Sequence, residues 1–167
     1  FKNTIIIYTK YKEVKNMLKK IFNTAKATIK GGKSNPKING TVTFKETKQG
    51  VLLTAKINGL PKTQGKCGGK FFGFHIHSGS SCTGNAQDEF ANSGAHYNPN
   101  DCPHPYHAGD LPPLFSNNGY AYMTVITNNF KVKDIIGKTV IIHESPDDFT
   151  SQPSGNSGKK IACGKII

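Results

Sequence analysis

In several segments from residue 25 onward the apolar residues of this chain recur at a period of two, the spacing of half-buried strands rather than of helices. AKATIK (25–30), GTVTFK (40–45) and VLLTAKI (51–57) alternate or nearly alternate apolar and polar residues, as half-buried strands do. ETKQG (46–50) is a short connection ending in glycine and predicts a hairpin. FFGFHIH (71–77), YAYMTVIT (120–127), KTVIIH (138–143) and KIACGKII (160–167) extend the set to seven or eight strands. Between them lie turns rich in the 18 glycines and 9 prolines of the 167-residue chain, a length that suits one core. The expected class is all-β, an antiparallel sandwich or Greek-key barrel. Residues 78–118 carry little regular pattern, and so long an excursion inside a compact domain is uncommon unless it is functional.

The N-terminal segment 1–23 differs from the rest, residues 24–167. KYKEVKNMLKKIF (10–22) places Val14, Met17, Leu18, Ile21 and Phe22 at helical spacing with lysines between, which predicts a short basic amphipathic helix. It is compatible with packing on the domain, with an appendage, or with a chain start at Met17. All 22 basic residues are lysines; 16 of them face 2 acids in residues 1–70, and 6 face 8 in the remainder. Apart from Lys19–Lys20 and Lys159–Lys160 the lysines are spaced singly, with no arginine among them, and they read as a solvated face rather than a nucleic-acid site. No apolar run approaches the roughly 20 residues of a membrane span. The run Ile5 to Tyr8 is also too short for a signal-peptide core.

Six histidines are distributed unevenly. His75 and His77, two apart on a strand, leave the same face of a sheet and can converge on one ion. His143 ends another strand. The other three lie in HYNPNDCPHPYHAGDL (96–111), whose prolines exclude a helix or central strand. His96, His104, His107 and Asp110 offer three nitrogens and one oxygen, a donor set that suits a closed tetrahedral zinc site. Pro99, Pro103 and Pro105 stiffen the loop and reduce the entropy lost on closing it. Imidazole-rich sites with an open position suit copper, which would employ His75, His77 and His143. The four cysteines, Cys67, Cys82, Cys102 and Cys163, contain no Cys-x-x-Cys pair. That argues against sulfur-ligated zinc or iron–sulfur clusters and leaves disulfides or free thiols.

GFHIH (73–77), GAHYNP (94–99), HAGDL (107–111), IGKTVIIHE (136–144) and GNSGKKIACG (155–164), in that order, resemble the copper-zinc superoxide dismutase family from about Ala25 to Ile167. The resemblance implies an eight-stranded Greek-key β-barrel with long metal-binding loops. Carried onto this sequence, it makes His75, His77, His96 and His143 the copper ligands. His96, His104, His107 and Asp110 become the zinc ligands, with His96 bridging the metals. It also implies that Asp147, in HESPDD, links one ligand of each metal by hydrogen bonds, and that Cys82 and Cys163 form the disulfide. The implied reaction is dismutation of superoxide to dioxygen and hydrogen peroxide. In it, His96 leaves copper and takes a proton on reduction, and a positive funnel steers the anion.

Two departures accompany the resemblance. Only Pro105 and Tyr106 separate His104 from His107, where the family has several more residues. The family's substrate-guiding arginine aligns with Lys160, a point donor rather than a planar fork, which predicts activity kept but reduced. Lys159 is a neighbour able to share the role. A second bridge between Cys67 and Cys102 is a further expectation. The competing reading is a non-enzymatic copper- or zinc-binding protein that keeps the fold. A cupin-like site is excluded because SGSSCTG, after His77, lacks the carboxylate such a site needs. A homodimer is compatible with the resemblance, and both an exported and a cytoplasmic location remain open.

Overall fold

The computed structural model describes residues 6–14, 23–63 and 69–167. Residues 6–14 form helix α1, with Ile6, Ile7, Tyr8, Tyr11 and Val14 exposed. The helix therefore begins before Lys10, and the expected continuation through 15–22 lies outside the described residues. Cys67 does as well.

Among the described residues nine strands follow: β1 Thr24–Gly31, β2 Asn39–Thr47, β3 Gly50–Asn58, β4 Lys70–Phe72, β5 Phe74–His77, β6 Leu114–Ser116, β7 Ala121–Thr127, β8 Thr139–His143 and β9 Lys160–Lys165. Seven form one antiparallel sheet in the order β5-β8-β9-β1-β2-β3-β7. β4 pairs with β6, which turns back into β7 through the Asn117–Tyr120 bridge. The expected strand 71–77 is bent at Gly73 into β4 and β5; taken as one, these make eight strands around the barrel. The crossing from β7, at one end of the sheet order, to β8, second from the other end, gives the Greek-key connection, and the four-residue helix α2, Val132–Ile135, lies on that crossing. Glu46 accepts the Val132 N–H at 2.6 Å and so holds α2 to β2.

Alternation does what it predicts in β1, where Ala25, Ala27 and Ile29 are buried and Thr24, Lys26, Thr28 and Lys30 are exposed. β2 and β3 meet with Thr47 opposite Gly50, a two-residue hairpin. The apolar faces close on a core that includes Ile29, Val42, Phe44, Leu53, Phe72, Phe74, Ile76, Val140 and Ile142.

β5 and β8 are buried on both faces. Phe74 and Ile76 point into the core, so His75 and His77 point the other way, and the loop after β5 covers them. This loop runs along the free edge of β5. Tyr97 N–H donates to the Ile76 carbonyl at 2.8 Å, Ile76 N–H to Gly109 at 2.9 Å and Ser78 N–H to Ala95 at 2.8 Å. His77 thereby lies opposite His96, and His75 opposite Asp110.

Candidate metal centre

Backbone pairing brings all six histidines into one buried cluster, with the His75 and His96 ring centroids 4.0 Å apart. Two groups of donors can be traced in it: His75, His77, His96 and His143, and His96, His104, His107 and Asp110. Within each group the available ligand atoms all lie within 4.8 Å of one another. His96 belongs to both.

Hydrogen bonds fix which nitrogen of each ring is free. His77 Nδ1 donates to the Gly94 carbonyl at 2.7 Å and His143 Nδ1 to the Gly158 carbonyl at 3.1 Å. Each Nε2 is then an unprotonated lone pair. These two Nε2 atoms face each other at 3.3 Å, with no proton to share. Two lone pairs at that separation repel unless a cation lies between them. The spacing matches the ~3.3 Å between ligand nitrogens of a tetrahedral ion with bonds of about 2.05 Å. Gly94 and Gly158 have φ of 72° and 74°, so the carbonyls that orient the two rings come from left-handed backbone that a side chain would strain.

Asp147 orients two further rings. His75 Nε2 donates to Asp147 Oδ2 at 2.7 Å and His104 Nε2 to Asp147 Oδ1 at 2.9 Å, which leaves Nδ1 of each as the donor for an ion. His104 is also held by Gln152, whose amide accepts the His104 N–H at 3.0 Å and donates to its carbonyl at 2.7 Å. His96 Nδ1 lies 2.7 Å from Asp110 Oδ1, while His104 Nδ1 and His107 Nδ1 lie 3.1 and 3.2 Å from Asp110 Oδ2. The short His104–His107 spacing therefore does not keep these rings from one ion. His75 Nδ1, His96 Nε2, His104 Nδ1 and His107 Nδ1 are buried without a hydrogen-bond partner. Orphaned nitrogens converging in this way fit metal ligation and little else.

Burial, the dominant influence, lowers His75 and takes His77 well below the ordinary imidazole range, and it holds His143 at about 3 with help from neighbouring His75. Burial alone would raise the Asp147 carboxyl, but the His75 hydrogen bond, the Phe149 amide and His104 outweigh it and hold Asp147 at about 2. Asp110 is likewise lowered, burial being outweighed by His96. Neutral imidazoles and ionised carboxylates are the ligating forms.

The copper/zinc superoxide dismutase (SODC) family model matches residues 38–166. The chain belongs to the copper/zinc superoxide dismutase family. It is 33% identical over 135 residues to a Cu-Zn superoxide dismutase of Legionella pneumophila, covering 76% of both chains. It is also 33% identical over 141 residues to that of Photobacterium leiognathi, covering 76% of this chain and 78% of the relative. The fold is similar to that of the Cu/Zn superoxide dismutase of Brucella abortus, with a TM-score of 0.72 at 26% identity over 86% of this chain and 99% of that one.

The disulfide of this dismutase fold joins Cys82, in the loop after β5, to Cys163 of β9. It packs with Phe90 and Ile141 and ties the loop to the barrel. Cys102 is a free thiol whose Sγ contacts the Asn100 carbonyl, and Cys67, the other half of the expected second bridge, lies outside the described residues. Lys160 lies opposite His143 across the β8–β9 ladder and lines an open cavity with His77, His96 and His143. Its ammonium is 2.8 Å from Asp88 Oδ2. Sequence reasoning missed Asp88, Gln152 and the carbonyls of Gly94 and Gly158. Only the glycines left a trace, as fixed letters within matching motifs.

Proposed function

We propose that this protein is a superoxide dismutase that converts superoxide to dioxygen and hydrogen peroxide. The reading is carried by the facing lone pairs of His77 and His143, joined to a second donor set through one shared ring. Copper would be held by His75 Nδ1 and by Nε2 of His77, His96 and His143. Zinc would be held by Nδ1 of His96, His104 and His107 and by Asp110. Bound copper supplies one-electron chemistry, oxidising one superoxide and reducing the next. His96 Nε2 takes up a proton in one half of the cycle and releases it in the other, while Asp110 and the zinc set hold the ring in place. Asp147 keeps His75 and His104 in the tautomers that present Nδ1. The cavity, about 910 Å³, is far larger than a diatomic anion, so charge rather than shape must select the substrate, and Lys160 is the residue that binds it.

We assign residues 24–167 to the dismutase domain and 1–23 to an appended basic segment, because the sheet starts at Thr24. The lysines, mostly single and without arginines among them, support no nucleic-acid role. A homodimer would use the exposed Phe71 and Phe115, whose rings are 5.0 Å apart, and sedimentation velocity tests for it. Among the described residues no helix is long and apolar enough to cross a membrane. The second reading, a copper/zinc-binding protein without turnover, is favoured by one observation: Lys160 is already paired with Asp88.

Metal analysis of the purified protein with a dismutation assay on copper- and zinc-loaded samples separates the two. One copper, one zinc and rapid superoxide loss are expected. Full copper loading without activity would leave only the second reading.

A further inference from the structure

Lys160 is committed before any substrate arrives. An ammonium has three N–H donors. One reaches Asp88 Oδ2 at 2.8 Å and another the Phe90 carbonyl at 3.3 Å, which leaves one for a ligand. Asp88 lines the same cavity as Lys160, so its negative charge stands where an anion must come. Nor is it a loose surface acid. Asp88 Oδ1 accepts the Phe90 N–H at 2.9 Å, and its carbonyl accepts from the amides of Asn85 and Ala91 at 2.9 and 3.1 Å. Phe90 is anchored beside the Cys82–Cys163 disulfide. The other acids of the cavity are engaged elsewhere: Glu89 accepts the Lys33 amide at 2.8 Å and Glu144 the Lys159 amide at 3.2 Å.

The structure assigns Asp88 as a positioning residue that competes with the anionic substrate for Lys160 and thereby limits how strongly the site draws in superoxide. This inference rests on the dismutase reading. An anion arriving at Lys160 must displace the carboxylate or share the ammonium with it, and either weakens binding. A guanidinium has five donors and could keep the pair while presenting a free edge. With lysine, pairing and substrate binding draw on the same small group.

Asp88→Asn tests this, because it removes the charge and keeps Oδ1 for the Phe90 amide. Azide serves as the anionic probe, its binding to the Cu(II)-loaded protein followed by visible absorbance. The variant is expected to bind azide about fivefold more tightly than the parent. Its dismutation rate should rise and should fall more steeply with ionic strength. Asp88→Ser, a second way to remove the charge, should behave alike if Asp88→Asn misfolds. In a Lys160→Met background the gain should vanish. Asp101→Asn makes the same change in net charge at an exposed residue outside the cavity lining and should leave azide binding unchanged. Unchanged azide affinity in both Asp88 variants, an equal gain in Asp101→Asn, or a gain that survives Lys160→Met would overturn the assignment. Tighter azide binding in a copper-loaded protein that shows no turnover would refute the dismutase reading and leave the Asp88–Lys160 competition standing.

Discussion

The two halves of the barrel handle polar residues in opposite ways. In β1 every polar side chain before the terminal glycine faces water and every apolar one faces the core. In β5 and β8 all positions are buried, and the polar ones are His75, His77, Thr139 and His143. The inner face of β1 is wholly apolar and its outer face is free to vary. The second half carries a polar layer between sheet and loop that is stable only if its orphaned nitrogens are satisfied. Function lies in the half that apolar burial cannot complete.

This contrast can be broken most severely by substitution. His77→Ala removes a nitrogen that faces His143 and should abolish copper retention and activity, whereas Thr43→Ala on the exposed face of β2 should change stability by under about 0.5 kcal/mol. Metal analysis and thermal unfolding of both variants check it. Next comes removal of the metals. A ligand present at a thousand times its dissociation constant stabilises by about 4 kcal/mol, so chelation should lower Tm by roughly 10 °C, and hydrogen exchange should rise first in residues 94–110. Cys82→Ser should cost about 2–5 kcal/mol by opening the 81-residue closure, while Cys102→Ser should cost little; denaturant unfolding separates them.

A graded effect follows from pH in the metal-free protein. His143 is held at about 3 against an ordinary value of 6.5, so below pH 6.5 the unfolded chain binds more protons than the folded one. The stability of the apo form should therefore fall as pH drops from about 6.5 toward 3, and His143→Gln should flatten that slope in a urea series. The smallest change sharpens rather than breaks the contrast. Lys160→Arg should raise the dismutation rate a few-fold; no change, with Lys160→Ala equally neutral, would show the position idle.

The exposed half was legible in the sequence because alternation is a local signal, and AKATIK, GTVTFK and VLLTAKI carry it unaided. The histidines were legible as residue types, and ordered motifs supplied their grouping. β6 was not legible: Leu114–Ser116 is three residues long and is a strand only because Lys70–Phe72 pairs with it. α2, at four residues, likewise depends on the Glu46 carboxylate that accepts its first amide. Nor could spacing show that His77 and His143 are oriented by carbonyls, since every residue has one. Asp88 and Lys160 are 72 residues apart and meet because the disulfide folds one loop onto β9.

The loop that supplies His96 and Asp110 also covers the outer edge of β5, through the amides and carbonyls of Ile76, Tyr97, Ser78, Ala95 and Gly109. An edge strand left bare is a template for pairing with another chain. FHIH, with its alternate Phe and Ile, would be an adhesive one. Whatever loosens residues 94–110 therefore does more than empty a catalytic site. It uncovers a strand edge whose amides and carbonyls the loop now satisfies.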